Sequence, residues 1–414
     1  MSGDPARAVA GFFDPPPAGP LGVAVSGGSD SLALLHLLHD WASGSGLALH
    51  AVTVDHGLRA DSAAEAACVG EIAGRLGVPH TVLHWTGWDG AGNLSDRARR
   101  ARYDLMAEWA RGAGVAGIAL GHTADDQAET LLMRLARGSG VAGLAAMSPG
   151  RSHAGVTFLR PLLTVRRAEL RRYLDARDQK WIEDPTNEDM RFDRPKARRA
   201  LRELEPLGLT VEALNMVAGN MAALRKTLGH YAEAEARAHV QFEAGDVLIP
   251  CAAFGAMPGE TARLILQAAL HWVSGEEYPP RRGGIQRLVE AIARGEGMPL
   301  SGCLIAIRDD TIRISREPAA VAETVAAPGT LWDGRWRLTG PFRPGDRIAA
   351  TGEAGLRACT EWRGTGLPRR TLLAAPAVWR DGALRAAPLA GFGAGFSAEL
   401  CRSAEDYHAT FRTH

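Results

Sequence analysis

The segment LGVAVSGGSDSLALLHLLHDWA (21–42) decides the fold, because it runs from a buried strand through a glycine turn into a helix. Its first part, LGVAVS (21–26), is a short apolar run, and SLALLHLLHDWA (31–42) has the pattern of a helix. Continuous apolar strands that alternate with helices predict an α/β fold, a doubly wound parallel sheet covered by helices on both faces. The alternation continues with strands expected at 47–55, 80–85 and 115–122 and helices at 61–76, 94–112 and 124–137.

The predicted sheet also indicates where a ligand binds. In open parallel sheets, ligands bind beyond the carboxyl ends of the strands. Three segments follow predicted strands at that edge, namely 26–31, 55–59 and 121–129. We therefore expect the chemistry of the protein in these segments.

The character of the sequence changes after about residue 210. Amphipathic helices are expected at 212–242, 259–273 and 283–297, followed by a β-rich stretch at 303–317. Two Asp-Gly turns further on, within 331–338 and 377–386, are typical of hairpins. We predict a nucleotide domain, a mostly helical middle domain and a small β-rich C-terminal domain, at residues 1–210, 211–320 and 328–414.

Composition narrows the class of protein. The 414 residues carry 47 Lys and Arg against 47 Asp and Glu, so any surface for a polyanion must be local. Segment 160–202 is such a patch, with 13 basic and 8 acidic residues and hence a net charge of +5. The five cysteines are dispersed, and neither a signal peptide nor a run of about 18 apolar residues is present. We expect reduced thiols, no membrane segment and a cytoplasmic location.

The turn SGGSDS (26–31) has the features of a phosphate-binding loop. Two glycines allow a tight turn that points backbone N–H groups at one place, beside the positive end of the next helix dipole. The plain alternative, with about equal weight, is that Ser29 or Asp30 only caps a helix. Near a triphosphate, Asp30 has the further use of binding Mg²⁺.

The segment GHTADDQAET (121–130) places two carboxylates at another strand-to-helix junction. Thr123 and Asp126 have the spacing of a capping box, which gives Asp126 a plain structural role. Glu129 follows on the same helix face, and the pair suits a metal or a base that takes a proton from an amine. His122, at the strand terminus, is placed to donate a hydrogen bond to a phosphate.

Two arginine-rich segments accompany these loops. Segment 93–106 holds four arginines within two helical turns. Such runs are usually solvated, but an arginine that turns inward would serve the α-phosphate, where charge grows in nucleotidyl transfer. Segment 183–203 is either a plain basic surface or a set of phosphate contacts for an RNA.

Several motifs together closely resemble the tRNA(Ile)-lysidine synthetase family, a branch of the PP-loop ATP pyrophosphatases. SGGxDS alone is typical of the superfamily, whereas the long block at 121–147 together with EDPTN is far more specific. The matching stretches occur in family order over roughly residues 20–200, and they are SGGSDS (26–31), VDHGLR (54–59), NLSDRARRARY (93–103), GHTADDQAETLLMRLARGSGVAGLAAM (121–147), RPLL (160–163) and WIEDPTNEDMRFDR (181–194).

The resemblance implies a two-step reaction on the wobble cytidine of an isoleucine tRNA with a CAU anticodon. ATP adenylates the C2 oxygen of the base with loss of pyrophosphate, and the ε-amine of free L-lysine then displaces AMP to give lysidine. The resemblance implies that the ATP phosphates bind to Ser26, Gly27, Gly28, Ser29, Asp30 and Ser31, and that Asp30 also binds Mg²⁺. It implies that Arg102 and His122 contact the nucleotide or the activated intermediate, and that Asp126 and Glu129 bind the lysine ammonium. Arg194 and Arg198 are implied to bind tRNA.

Two positions depart from the family pattern. Thr123 stands where a second histidine is common, and Pro195 replaces the asparagine of an Arg-Asn-x-x-Arg motif, which leaves the local backbone open. Two alternatives also stay open. One is a tRNA thiolase of the same superfamily, which would use paired or catalytic cysteines, and the other is a non-catalytic tRNA-binding relative. The oligomeric state is open too, with a homodimer as one expectation.

Overall fold

The apolar runs of the first half of the chain form one sheet in the computed structural model, which describes residues 4–57, 61–86, 88, 94–183, 189–276 and 280–413. The spatial order of the strands is β3-β2-β1-β4-β6-β5, and all neighbours are parallel except the antiparallel pair β5 and β6. The strands are β1 (Leu21–Ala24), β2 (Leu49–Asp55), β3 (His80–His84), β4 (Gly117–Ala119), β5 (Gly150–His153) and β6 (Val156–Leu159).

Helices cover both faces of this sheet, which confirms the doubly wound prediction. Val23 and Ala51 belong to a core on one face, and Val52, Ile118 and Phe158 belong to a separate core on the other. Helices α2, α3 and α7 contribute to the first core and α4 to the second. The helices are α1 (Pro5–Phe12), α2 (Ser29–Ser45), α3 (Ser62–Arg75), α4 (Leu94–Ala113), α5 (Ala124–Ala136), α6 (Val141–Leu144), α7 (Arg167–Asp175) and α8 (Asp193–Leu204).

The β5–β6 hairpin was not among the predicted strands, and it makes the sheet mixed rather than wholly parallel. Its register runs from Gly150 opposite Leu159 to His153 opposite Val156. All four residues of β5 are at least partly exposed, so the strand lacks the apolar run on which the prediction depended. The hairpin thus forms an antiparallel edge next to the parallel core.

Two units make up the chain, a first unit (Met1–Arg225) and a second unit (Lys226–His414). The finer division at residues 210, 320 and 328 stays a prediction. The second unit includes a five-stranded antiparallel sheet of order β7-β8-β11-β10-β9 beside its helices. The turn at Asp309–Asp310 joins two of its strands. The elements are α9 (Val211–His239), which contributes to both units, β7 (Gln241–Glu243), β8 (Asp246–Pro250), α10 (Cys251–Ala256), α11 (Gly259–Ser274), α12 (Arg282–Ala293), β9 (Pro299–Leu300), β10 (Cys303–Arg308) and β11 (Thr311–Arg316).

The last part of the second unit contains two small antiparallel sheets, β12-β14-β15-β16 and β13-β17. The hairpin predicted at 377–386 is present, whereas the one predicted at 331–338 is reduced to a single bridge between Trp332 and Trp336. The elements are α13 (Pro318–Val321), β12 (Val325–Ala326), β13 (Trp336–Thr339), β14 (Arg347–Ala350), α14 (Gly352–Ala358), α15 (Arg369–Leu373), β15 (Pro376–Arg380), β16 (Ala383–Ala386), β17 (Ser397–Leu400) and α16 (Ala404–Thr413).

Helix α16 returns to the core of the five-stranded sheet. Tyr407 and Phe411 lie in one apolar cluster with Ile265, Val247 and Ile314. The Tyr407 hydroxyl is buried and donates a hydrogen bond to the Ile265 carbonyl over 3.1 Å. The end of the described chain therefore completes a core that begins near residue 232.

No single helix of the described ranges is long and apolar enough to cross a membrane. One pair of helices, Asp193–Leu207 and Val211–His239, passes that test jointly by length and composition, with a bend of 101° between them.

Candidate active site

The turn after β1 folds back on itself through the hydroxyl of Ser31. The Ser31 Oγ accepts from the Ser26 backbone N–H over 3.1 Å and donates to the Gly28 carbonyl over 3.0 Å. Gly28 is the N-cap of α2 and has no side-chain capping bond, so Ser29 and Asp30 lie in the first helical turn. The plain capping role considered for these two residues is therefore absent.

Two glycines allow close contacts around this turn. Gly27 has φ of +84°, and a Cβ there would lie 2.5 Å from Ile182 Cδ1. A Cβ on Gly121 would lie 3.0 Å from backbone atoms of Asp30 and Ser31. The Ile182 N–H also donates to the Gly27 carbonyl over 2.9 Å. The turns after β1 and β4, and the segment before EDPTN, are thus packed together as one loop cluster.

Asp126 forms a capping box with Thr123, the N-cap of α5, and keeps one oxygen for another partner. Its Oδ2 accepts from the Thr123 N–H and hydroxyl, each over 2.9 Å, and the Asp126 N–H donates to Thr123 Oγ1 in return. This is the capping box expected from the sequence. Thr123, one of the two departures from the family pattern, therefore has a defined structural task. The second oxygen of Asp126, Oδ1, faces Arg167.

A single guanidinium joins the two loops. Arg167 donates through Nε to Asp30 Oδ2 over 2.9 Å, through Nη2 to Asp126 Oδ1 over 3.0 Å, and through Nη1 to Glu129 Oε1 over 3.4 Å. We call Asp30, Asp126 and Glu129 the acidic cluster. Because one side chain contacts all three carboxylates, the two predicted loops share one site.

Glu129 is the most deeply buried member of the acidic cluster, with a side chain that is 1% exposed. Its Oε1 also accepts from Arg198 Nε over 2.6 Å, while Oε2 has no hydrogen-bond partner in the described part of the chain. Burial and the charge of Asp126 raise the pKa of Glu129, against the effect of Arg198 and Arg167. A raised pKa makes this carboxylate a better proton acceptor at neutral pH.

The other members of the acidic cluster differ in their electrostatics. Burial raises the pKa of Asp30, although Arg167 opposes this shift. Burial also acts to raise the pKa of Asp126, but Arg167, Arg194 and the Thr123 N–H outweigh it and lower the value. Arg167 stays charged, because Asp126 and Asp30 raise its pKa in spite of burial.

A group of cationic side chains lies beside the acidic cluster around His122. Burial, together with Arg160, Arg194 and Arg102, lowers the pKa of His122 to about 3, although Asp126 acts in the opposite direction. The imidazole is therefore neutral at physiological pH. Arg102 Nε and His122 Nδ1 are buried and have no hydrogen-bond partner among the described residues. Such unpaired buried nitrogens suit an anionic or polar ligand.

Asp30 is the residue of this site that suits Mg²⁺. Within the described ranges, no group of three or more His, Cys, Asp or Glu side chains is arranged to hold a metal ion by itself. Mg²⁺ on a nucleotide needs only one or two carboxylates, because phosphates and water supply the remaining oxygens. Asp30, beside the phosphate-type turn and with an oxygen already bound to a cation, meets that requirement.

Pro195 does not interrupt helix α8, although it lacks the N–H of the asparagine usual in the family. The helix begins at Asp193, so Pro195 is its third residue. The N–H groups of the first helical turn have no partner within the helix, and a proline there removes no bond. Arg194 and Arg198 thus sit on a regular helix on either side of it.

The structure brings the predicted site residues together: the 26–31 turn, Arg102, His122, Asp126, Glu129, Arg194 and Arg198. Other motif residues, including Arg59, Asn93 and 184–187, lie outside the described residues. Sequence reasoning missed Arg167. Its position in TVRRAEL (164–170), directly after the RPLL match, was the available signal. All five cysteines are unpaired, and Cys68 lies on α3 as expected.

Known proteins resemble this chain over most of its length. A family model described as a PP-loop domain matches residues 2–205. The tRNA(Ile)-lysidine synthase of Ruegeria pomeroyi is 48% identical over 402 residues, which covers 97% of this chain and 96% of that protein. The tRNA(Ile)-lysidine synthase of Hyphomonas neptunium is 38% identical over 332 residues, which covers 76% of this chain and 87% of that protein.

Among solved structures, a U34-tRNA thiolase from Methanococcus maripaludis is similar, with 16% identity and a TM-score of 0.46. The similarity covers 52% of this chain and 77% of the thiolase. The identity of 48% to the Ruegeria relative, by contrast, extends over nearly the whole of both chains. On that ground this chain belongs to the tRNA(Ile)-lysidine synthase family and is an ATP-dependent ligase of tRNA modification.

Proposed function

We propose that the chain joins L-lysine to C2 of the wobble cytidine, position 34, of an isoleucine tRNA with a CAU anticodon, at the site described above. The C2 oxygen attacks the α-phosphorus of ATP and pyrophosphate leaves. The neutral ε-amine of lysine then attacks C2, AMP leaves, and the nitrogen loses a proton. This proposal rests mainly on the contacts of the Arg167 guanidinium with Asp30, Asp126 and Glu129. Because of these contacts, the 26–31 turn lies next to the two carboxylates that we assign to the lysine amine.

We assign the ATP phosphates to the turn formed by Ser26, Gly27, Gly28, Ser29, Asp30 and Ser31. The start of α2 supplies N–H groups and the positive end of a helix dipole. Asp30 is the residue that would hold Mg²⁺, which when bound neutralises phosphate charge. The residue that would hold the metal then belongs to the phosphate turn itself.

We assign the activated base to Arg102 and His122. A neutral imidazole can donate one hydrogen bond to a phosphate oxygen without adding charge, and Arg102 supplies the charge. Both side chains have buried nitrogens without partners in the described chain, and a ligand oxygen would satisfy them.

We assign the ammonium of free lysine to Asp126 and Glu129. Lysine is protonated at neutral pH, so it binds as a cation and must lose a proton before it attacks. Asp126, whose pKa is lowered, suits the role of ion-pair partner. Glu129, whose pKa is raised, suits the role of base.

Arg194 and Arg198 stay our candidates for contacts with tRNA phosphates. Arg194 lies close enough to His122 and Asp126 for its charge to affect their pKa values. Arg198 has a second task, because its Nε holds Glu129. A homodimer and a cytoplasmic location also stay predictions. Light scattering of the purified protein tests whether it is a homodimer.

Transfer of labelled lysine to a transcript of isoleucine tRNA with a CAU anticodon tests this function. We expect transfer that requires ATP and the cytidine, with one AMP released per lysine. A matched transcript with uridine at position 34 is the control. A thiolase would release AMP without incorporating lysine, and a non-catalytic relative would do neither, so either result would contradict the proposal.

A further inference from the structure

The acidic cluster is already filled by a side chain of the protein itself. Arg167 contacts Asp30, Asp126 and Glu129 at 2.9, 3.0 and 3.4 Å. The proposed function, on which this inference rests, gives the same carboxylates to Mg²⁺ and to the lysine ammonium. The protein thus places its own cation where two incoming cations have to bind.

The charges do not allow all of these cations to stay together. Three carboxylates face two guanidinium groups, those of Arg167 and Arg198, which leaves one net negative charge. The lysine ammonium and Mg²⁺ need carboxylate oxygens that the Arg167 guanidinium already holds, and like charges at such short distances repel strongly. Withdrawal of Arg167 removes one of the competing charges and frees one oxygen on Asp30 and one on Asp126, while Glu129 Oε1 keeps its bond to Arg198.

We propose that Arg167 is a placeholder cation, which keeps the acidic cluster closed to lysine until Mg²⁺ and ATP arrive. The triphosphate on the 26–31 turn then offers the guanidinium a new anionic partner, and Asp30, once released by Arg167, would hold Mg²⁺. Lysine binds afterwards, at the oxygens that Arg167 has left.

The surroundings of Arg167 suit such an exchange. Its backbone N–H donates to Asp125 Oδ2 over 2.7 Å, which anchors the start of α7 while the side chain moves. The side chain keeps 19% of its surface exposed, so it has room to leave. Glu129 Oε2 has no partner among the described residues and is available to accept from an ammonium.

Lysine binding without nucleotide tests the placeholder. We would titrate the full-length wild type, Arg167→Gln and Arg167→Lys with L-lysine by calorimetry, and check by thermal unfolding that each protein is folded. Removal of the competing charge-assisted bonds should tighten lysine binding about tenfold or more in Arg167→Gln. Arg167→Lys keeps one charge but has a single ammonium, and it should fall between wild type and Arg167→Gln.

Arg166→Gln is the matched control, because Arg166 is adjacent in sequence but pairs with Asp125 and Glu212 instead of the acidic cluster. It should bind lysine like the wild type. Addition of Mg²⁺ and α,β-methylene-ATP should raise the lysine affinity of the wild type and narrow its difference from Arg167→Gln.

Lysine affinities of Arg167→Gln and Arg167→Lys that do not exceed that of the wild type would overturn the placeholder. So would a wild type that binds lysine equally well with and without the nucleotide. If such a wild type still transfers labelled lysine to the tRNA, the proposed function stands and only the placeholder fails. A wild type that transfers none would overturn both.

Discussion

Asp126 uses its two carboxylate oxygens for different tasks. Oδ2 closes the capping box with Thr123, and Oδ1 pairs with Arg167. Most substitutions of Asp126 therefore remove both the capping bonds at the start of α5 and a negative charge from the site. An asparagine keeps an oxygen for the cap and removes the charge.

We expect Asp126→Asn to lower lysine transfer by about 100-fold or more, because the ammonium loses its ion-pair partner while the cap persists. Asp126→Ala should abolish transfer too, but it also loses the half of the capping box that the carboxylate supplies, at a cost of about 1 kcal/mol of folding free energy. Labelled-lysine transfer and thermal unfolding measure the two effects.

Asp104→Asn, a change at a 64% exposed carboxylate on α4, is the control and should behave like the wild type. Wild-type turnover by Asp126→Asn would show that the proposed role is wrong.

His122 gives the protein a pH dependence with a defined sign. The pKa of His122 lies near 3 in the folded protein and near the ordinary value of 6.5 in the unfolded chain. Below pH 6.5 the unfolded chain therefore binds a proton that the folded protein does not, and stability falls as the pH decreases. The opposing charge of Asp126 moderates the effect without reversing it.

We expect the wild type to lose on the order of 1 kcal/mol more folding free energy than His122→Gln between pH 7 and pH 5. Denaturant unfolding of both proteins at the two pH values measures this difference. Equal losses would mean that His122 is protonated in the folded state.

At the scale of elements, the sequence predicted the buried strands and the helices between them, because apolar runs and helical periodicity are local signals. It missed β5, whose residues are all at least partly exposed. Arg167 lies next to the RPLL match, but that position alone predicts no role for it, because its partners are carboxylates that lie 137, 41 and 38 residues away in the chain. The acidic pair and the phosphate turn could be predicted because each has a short motif of its own.

A buried carboxylate joins three elements of the second unit. Asp246, on β8, is 2% exposed, and its Oδ2 accepts from Arg313 Nη1 and Ser315 Oγ on β11 and from Thr371 Oγ1 on α15. A buried carboxylate has to be hydrogen-bonded, so these elements depend on one another. The contact ties the five-stranded sheet to a helix near the C-terminal strands.

We expect Thr371→Val, which keeps the shape and removes the hydroxyl, to lower the stability of the second unit by about 1–2 kcal/mol. Thr330→Val removes an exposed hydroxyl and should change stability by less than about 0.5 kcal/mol. Urea unfolding monitored by tryptophan fluorescence compares the two, and equal effects would contradict a special role for the Asp246 contact.

At the scale of the whole molecule, α16 connects distant parts of the second unit. Tyr407 and Phe411 lie in the core of the five-stranded sheet, and Arg412 pairs with Glu233 on α9. A truncation after about residue 320, which we predict to weaken tRNA binding more than ATP chemistry, therefore also removes part of that core. A loss of tRNA affinity in such a protein would therefore have two causes, the missing surface and the damaged core.

We expect removal of residues 404–413 alone to destabilise the second unit by several kcal/mol, because two buried aromatic side chains are lost. Calorimetry should show a lower transition temperature for that unit, while ATP binding by the first unit persists. The variant Glu405→Gln, which keeps the helix and changes one exposed carboxylate, is the control. An unchanged transition in the shortened protein would show that α16 is dispensable.

The position of α16 also affects how the protein is made on the ribosome. Residues 1–225 contain all the strands and apolar clusters of the nucleotide-type sheet, so this part can fold while translation continues. The sheet that starts near residue 241 has to wait until Tyr407 and Phe411 have been synthesised. During this interval a nascent chain exposes an unfinished apolar surface, to which chaperones and proteases can bind.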